Sequence, residues 1–121
     1  MQWTIVFHPE FEPEFDRLDQ VVQDELLAQA ASLEAFGPRL GRPRVDTLKN
    51  SDHANMKELR FSAADGVWRV AFAFDPRQRA ILLVAGAKQG VNEQRFYRQL
   101  IRKADARFAR HLAQLNERKK S

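Results

Sequence analysis

An α+β fold is what this sequence predicts, on three observations. Residues 56–86 read as three consecutive antiparallel strands, residues 10–36 carry two helical apolar stripes, and residues 92–116 carry a longer one. The expected architecture is an N-terminal strand, a helix hairpin, an antiparallel sheet of about four to five strands and a C-terminal helix packed on one face. With 121 residues the chain reads as one domain, 1–121, long enough for one core and too short for two.

Trp3-Thr4-Ile5-Val6-Phe7 is β-branched and aromatic, a short strand ended by His8-Pro9 that serves as an edge or as a partner for the later strands. Phe11, Phe15 and Leu18 mark a short helix over Glu10 to Leu18, and Pro13 moves its start toward Glu12. Val22, Leu26, Ala30, Leu33 and Phe36 form the stripe of a second helix from Gln20 to Phe36, which Gly37-Pro38 stops. Pro38 to Arg44 is a Gly/Pro loop holding Arg39, Arg42 and Arg44. Val45 to Leu48 is a short strand, and Lys49 to Asn55 a polar loop.

The three main strands follow, Met56–Ser62, Val67–Asp75 and Ala80–Gly86. Asp-Gly in the turn at 63–66 and Asp-Pro at the second turn supply the turn chemistry. Alternation places Leu59, Phe61, Trp68, Val70, Phe72 and Phe74 on one face, which helices must cover. Glu58, Arg60 and Arg69 fall on the other, expected open and floored by small residues such as Ala71 and Ala73. Asn92 caps the last helix, whose stripe is Phe96, Leu100, Ala104, Phe108, Leu112 and Leu115. Its exposed face is expected to carry Arg95, Arg98, Arg102, Lys103, Arg107 and Arg110, with a frayed tail at Arg118-Lys119-Lys120.

Composition narrows the function classes. Apolar residues make up 44% and Phe occurs nine times, which argues against disorder. A net charge of +4 permits an anionic partner without demanding one. No cysteine is present, so disulfides and thiolate metal sites are excluded, and His8, His53 and His111 lack metal-ligand spacing. No metal or cofactor is expected. The longest apolar run, Ala80 to Ala87, is too short to span a bilayer, and the first ten residues lack a signal-peptide pattern, so the expected location is cytoplasmic, with no membrane partner.

The residues with chemistry to offer are Glu58, Arg60 and Arg69 on the sheet face, Lys88 at its rim, and Tyr97 five residues into the last helix. No Gly-rich phosphate loop, nucleophile–histidine arrangement or paired carboxylates accompany them. One carboxylate among cations suits cleavage of RNA by its own 2′-hydroxyl. That reaction needs a base, cations for the phosphorane and an acid for the leaving oxygen. Arginine forks match phosphate oxygens, and Tyr97 can stack a base. Arg42 and Arg44 can form a basic lip beside the cleft, and Lys57, which alternates to the covered side with Leu59, can reach the cleft edge by its long stem. The alternative is structural: cross-strand ion pairs on a wet sheet face and a solvated loop.

The order of elements resembles the RelE/ParE superfamily of bacterial toxins. The local wording is closer still to its phage-derived Gp49-like, HigB-type branch. The resemblance is carried by FGPRLGRPRVDTL (Phe36–Leu48), MKELRF (Met56–Phe61), GVWRVAFAFDP (Gly66–Pro76), ILLVAGAKQG (Ile81–Gly90) and RFYRQLIRKAD (Arg95–Asp105). It implies a RelE-like fold and a type II toxin that cleaves mRNA on the ribosome without metal. It also implies a small antitoxin partner, often of helix-turn-helix type. By the same resemblance Arg69, in Trp-Arg-Val, matches the arginine used on the scissile phosphate, and Arg60 matches a basic residue one strand earlier. Lys88 falls in the basic loop after the strand, and Tyr97 matches the aromatic that stacks on RNA.

Two positions depart from the founding type. Glu58 stands where a lysine is found, and Gln89 where an arginine protonates the leaving oxygen. Glu58 is therefore the expected base and Lys88 the cationic or acidic partner. Two other readings stand beside this one, a non-enzymatic ParE-like gyrase inhibitor and an inactive relative that only binds a partner.

Overall fold

The computed structural model describes residues 2–88, 90 and 92–120. Five strands, β1 (Thr4–Phe7), β2 (Val45–Thr47), β3 (Lys57–Ala63), β4 (Gly66–Phe74) and β5 (Arg79–Ala87), form one sheet in the order β1-β5-β4-β3-β2. The α-helices beside them are α1 (Glu12–Asp16), α2 (Gln20–Phe36) and α3 (Glu93–Lys120). β2 to β5 pair antiparallel as expected, whereas β1 lies parallel to β5, so the sheet is mixed. The α1–α2 hairpin between β1 and the rest provides the crossover that a parallel pair requires. α3 runs past its expected end at Asn116 to Lys120.

Turn chemistry sets the register of the meander. Ala64 and Asp65 both have positive φ, +51° and +61°, so they are the central pair of a two-residue hairpin loop, and Gly66 already pairs with Ala63. At the second turn the Asp75 carboxylate accepts the backbone N–H groups of Arg77 and Arg79 while Gln78 takes φ +63°. Gly37, at φ +54°, ends α2 where Trp3 crosses it, and a Cβ there would run into the indole ring.

Both faces of the sheet are covered, and here the expected open face is corrected. Phe11, Val22, Leu26, Ala30 and Leu33 from the helix hairpin pack on Leu59, Phe61, Val70, Phe72 and Leu82. On the opposite face Leu100, Ala104 and Phe108 of α3 pack on Ala71, Ala73, Ile81, Leu83 and Val84, joined by Leu48 and Met56. Ala71 and Ala73 are small because a helix lies on them, so small residues there mark a packed surface. A bulge strengthens this side: Ala71 pairs Val84 and Phe72 pairs Leu82, so Leu83 is the extra residue, and both Leu83 and Val84 turn toward α3.

Charges hold α3 to the far edge of the sheet. Arg107, expected on the exposed face, is buried and forks onto Glu14 at 2.9 and 2.6 Å while also donating to the Leu83 carbonyl at 2.7 Å. Arg110 pairs with Glu10. Asp105 accepts the Ser51 hydroxyl and the Asp52 N–H, docking the loop after β2 on the helix. Asp75, fully buried at its side chain, is shared by Arg79 at 2.8 Å and His111 at 2.9 Å. No described helix is long and apolar enough to cross a membrane.

Candidate active site

Arg69 sits in the middle of β4, with Arg60 beside it on β3 and Gly86 on β5. Glu58 pairs with Ala71, so alternation and register together put Glu58, Arg60 and Arg69 on the α3 face. Because the first turn of α3 lies over that face, Glu58 and Arg69 are buried, each 6% exposed, and Arg60 alone of the three reaches solvent.

The first turn of α3 is shaped for this. The Asn92 side chain accepts the N–H groups of Gln94 and Arg95, capping the helix as expected. Phe96 and Tyr97 follow, and the Arg69 guanidinium carbon lies 5.6 Å from the centre of each ring. Such contacts contribute about 0.5–2 kcal/mol each, more when dry. Gly86 leaves the room: a Cβ there would meet the Phe96 ring at 3.1 Å. Arg69 Nε–H donates to the Tyr97 hydroxyl at 2.7 Å and its Nη1 to the Val67 carbonyl at 3.3 Å.

Glu58 is held loosely by comparison. One carboxylate oxygen faces Arg60 Nε at 3.7 Å, an ion pair at longer than hydrogen-bond distance. The other, Oε2, is buried without a hydrogen-bond partner. A buried acceptor in that state costs about 1–3 kcal/mol, more when charged, so its retention needs a reason beyond folding. Burial and the nearby Glu58 carboxylate hold the Tyr97 phenol above its ordinary pKa, with Arg69 acting in the opposite direction.

Two depressions flank this cluster. A groove of about 890 Å³ between α3 and the β2–β3 side is lined by Glu58, Tyr97, Lys49, Arg98 and Arg102 among others. A second of about 660 Å³, beside the β3–β4 hairpin, is lined by Arg69, Lys88 and Val67. Glu58, Arg60, Arg69 and Tyr97 are thus brought together, and Lys88 reaches the cluster from the Arg69 side.

The remaining residues that the sequence singles out separate from it for local reasons. Lys57 shares the face of Leu59 and Phe61, beneath the helix hairpin. Arg44 donates to Ser32 on α2, and Arg42 pairs at 3.7 Å with Asp46, a residue of the larger groove's wall. Gln89 lies outside the described residues. Phe96 reads from the sequence as core alone, yet it is one of the two rings holding Arg69. Its position next to Tyr97, opposite a strand glycine, is the signal that points to it. His53 meets Phe108 edge-on, and His8 is a buried strand-end residue whose Nδ1 accepts the Glu10 N–H. Among the described residues no group of three or more His, Asp or Glu is placed to hold a metal ion.

With this geometry the chain is similar to known proteins along most of its length. A family model described as phage-derived protein Gp49-like (DUF891) matches residues 13–109. Two Mycobacterium tuberculosis proteins named as candidate toxins are similar: HigB2, 46% identical over 84% of this chain, and HigB3, 40% identical over 91%. The chain spans 51% of HigB2, about half its length, and 94% of HigB3. Among solved structures, a double arginine-to-alanine mutant of the Escherichia coli toxin RelE in the free state aligns with a TM-score of 0.60. The alignment covers 85% of this chain and 97% of that one at 12% identity, a likeness of fold. The matched segment contains every element from α2 to the site-bearing first turns of α3, and with it the chain belongs to the phage-derived Gp49-like family, on its HigB-type branch, with a RelE-like fold.

Proposed function

We propose that this chain is the toxin of a type II toxin–antitoxin pair and a metal-independent endoribonuclease that cuts mRNA on the ribosome. The observation that carries the reading is a buried arginine, Arg69, packed against two neighbouring aromatic rings beside Glu58, a buried carboxylate with an unsatisfied oxygen. The names of the HigB relatives support the toxin part, and the site chemistry supports the nuclease part.

In this reading RNA lies along the two depressions that flank the cluster. The Glu58 carboxylate accepts the 2′-hydroxyl proton, and the oxygen attacks the adjacent phosphorus. The Arg69 fork has two of its N–H groups committed, to Tyr97 and Val67, and directs the rest at the phosphorane. Arg60 and Lys88 add positive charge from either side, and the aromatic pair on α3 flanks the base. Arg42 adds a phosphate contact at the groove wall. The partner is a small antitoxin, of helix-turn-helix type on the family resemblance, which covers the site.

The test is induced expression in a bacterial host with mapping of RNA 5′ ends. Wild type should arrest growth with codon-phased cuts, silenced by a co-expressed neighbouring open reading frame. Arg69→Ala should lose cleavage by about 10²–10³-fold or more while remaining folded. Arrest with intact mRNA would overturn the nuclease reading in favour of a target such as gyrase. No arrest would leave a partner-binding protein.

A further inference from the structure

We infer that Tyr97 is the general acid of the reaction and that Glu58 returns its proton, so base and acid form one closed relay. The inference rests on the nuclease reading above and assigns the one role that reading leaves open, the protonation of the leaving oxygen.

Tyr97 is the acid that the geometry singles out. Its oxygen already accepts a hydrogen bond, from Arg69 Nε–H at 2.7 Å, which leaves the phenolic proton free to be given away. Glu58 and Tyr97 line the same groove. The three histidines are occupied elsewhere: His8 at the end of β1, His53 against Phe108, and His111 on Asp75. Gln89 carries an amide, which has no proton to yield. Lys88 is the remaining competitor, and it approaches from the Arg69 depression, away from Glu58.

The steps balance. The 2′-oxygen bonds to phosphorus as its proton passes to the Glu58 carboxylate. The bond from phosphorus to the 5′-oxygen breaks, and that oxygen takes the Tyr97 proton. A 2′,3′-cyclic phosphate and a 5′-hydroxyl result. Protonated Glu58 then reprotonates the Tyr97 phenolate, which restores both groups without a third reagent.

The electrostatics time the transfer. At rest, burial and the Glu58 charge keep the proton on Tyr97, whose pKa is raised. Once Glu58 has accepted the 2′-hydroxyl proton it is neutral, and that part of the restraint vanishes. Arg69 continues to favour the phenolate through its hydrogen bond. Tyr97 therefore becomes a stronger acid at the moment when the leaving oxygen needs a proton.

The deciding experiment uses ribosome-bound mRNA whose scissile 5′-oxygen is replaced by sulfur, a leaving group that needs no proton. Tyr97→Phe keeps the ring and should slow the oxygen substrate by about 10²–10⁴-fold. On the sulfur substrate it should return to near the wild-type rate. Glu58→Gln should stay slow on both. Tyr97→Phe that cuts the oxygen substrate normally, or that is equally slow on both, overturns the assignment. The latter would leave Tyr97 as a positioning residue.

Tyr97 is the chain's single tyrosine, so uniform 3-fluorotyrosine incorporation changes this position alone. The more acidic phenol should move the alkaline limb of the rate to lower pH. An unmoved limb overturns the relay even if Tyr97→Phe fails to fold. Wild type that cuts neither substrate overturns the nuclease reading itself, which separates the two failures.

Discussion

Glu58 and Arg69 illustrate how much of a side chain's role depends on what lies over it. Strand alternation alone places both on one face with Arg60, and the register agrees. Phe96 and Tyr97 lie against Arg69, and their distance along the chain hides that contact from any local pattern. A prediction follows for Glu58, whose buried Oε2 lacks a partner. Glu58→Gln removes a desolvated charge while keeping the shape, so it should leave thermal stability unchanged or raise it, by on the order of 1 kcal/mol, while abolishing cleavage. Thermal unfolding beside a cleavage assay reads both. A fall of several degrees in the midpoint would mean that the carboxylate serves the fold.

At the level of elements, α3 does two jobs along its length. Its C-terminal half is a structural clamp, with Arg107 on Glu14, Arg110 on Glu10 and His111 on Asp75. Its first turns carry Phe96 and Tyr97 to the site, with Arg98 and Arg102 on the groove. The 3.6-residue stripe predicts the buried side correctly at Leu100, Ala104, Phe108 and Leu115. It places Arg107 in solvent, because its partner Glu14 is 93 residues away. The cap at Asn92 governs the functional end. Asn92→Ala removes the acceptor of two backbone N–H groups and should cost about 1 kcal/mol. Looser placement of Phe96 and Tyr97 should then lower the cleavage rate more than the thermal midpoint suggests. A loss of cleavage no larger than the fall in the thermal midpoint accounts for would contradict this.

Across the whole molecule, titrating groups set the direction of its pH dependence. Burial pushes the Asp75 carboxyl up, but hydrogen bonds from His111, Arg79 and the backbone outweigh it and hold its pKa below the ordinary value. Glu14 is lowered by its hydrogen bond to Arg107, and His8 is lowered chiefly by burial. In all three cases the unfolded chain binds the proton more readily. Their contributions are therefore present above the unfolded values, about 3.9, 4.3 and 6.5, and are lost as pH falls through the folded ones. Stability should decline from near pH 6.5 downward, His8 first and the carboxylates below about pH 4. Urea unfolding of wild type and Asp75→Asn across this range checks it. The gap between them should be widest at neutral pH and close in acid, and a constant gap would show that Asp75 acts by shape alone.

The local physics of the chain is enough to establish its elements, two turns, the apolar face beneath the helix hairpin and the residues of the chemical cluster. Periodicity, caps and turn residues act over a few positions, and they can be read in order. Two features required the chain to be assembled: the parallel pairing of β1 with β5 and the cover that α3 places over Arg69. Each depends on residues far apart in sequence meeting across the sheet. In a chain where both sheet faces are covered, a charged residue beside small neighbours can be an exposed one or a buried one with a helix above it. That difference lies in the packing of α3, which no window along β3 or β4 contains.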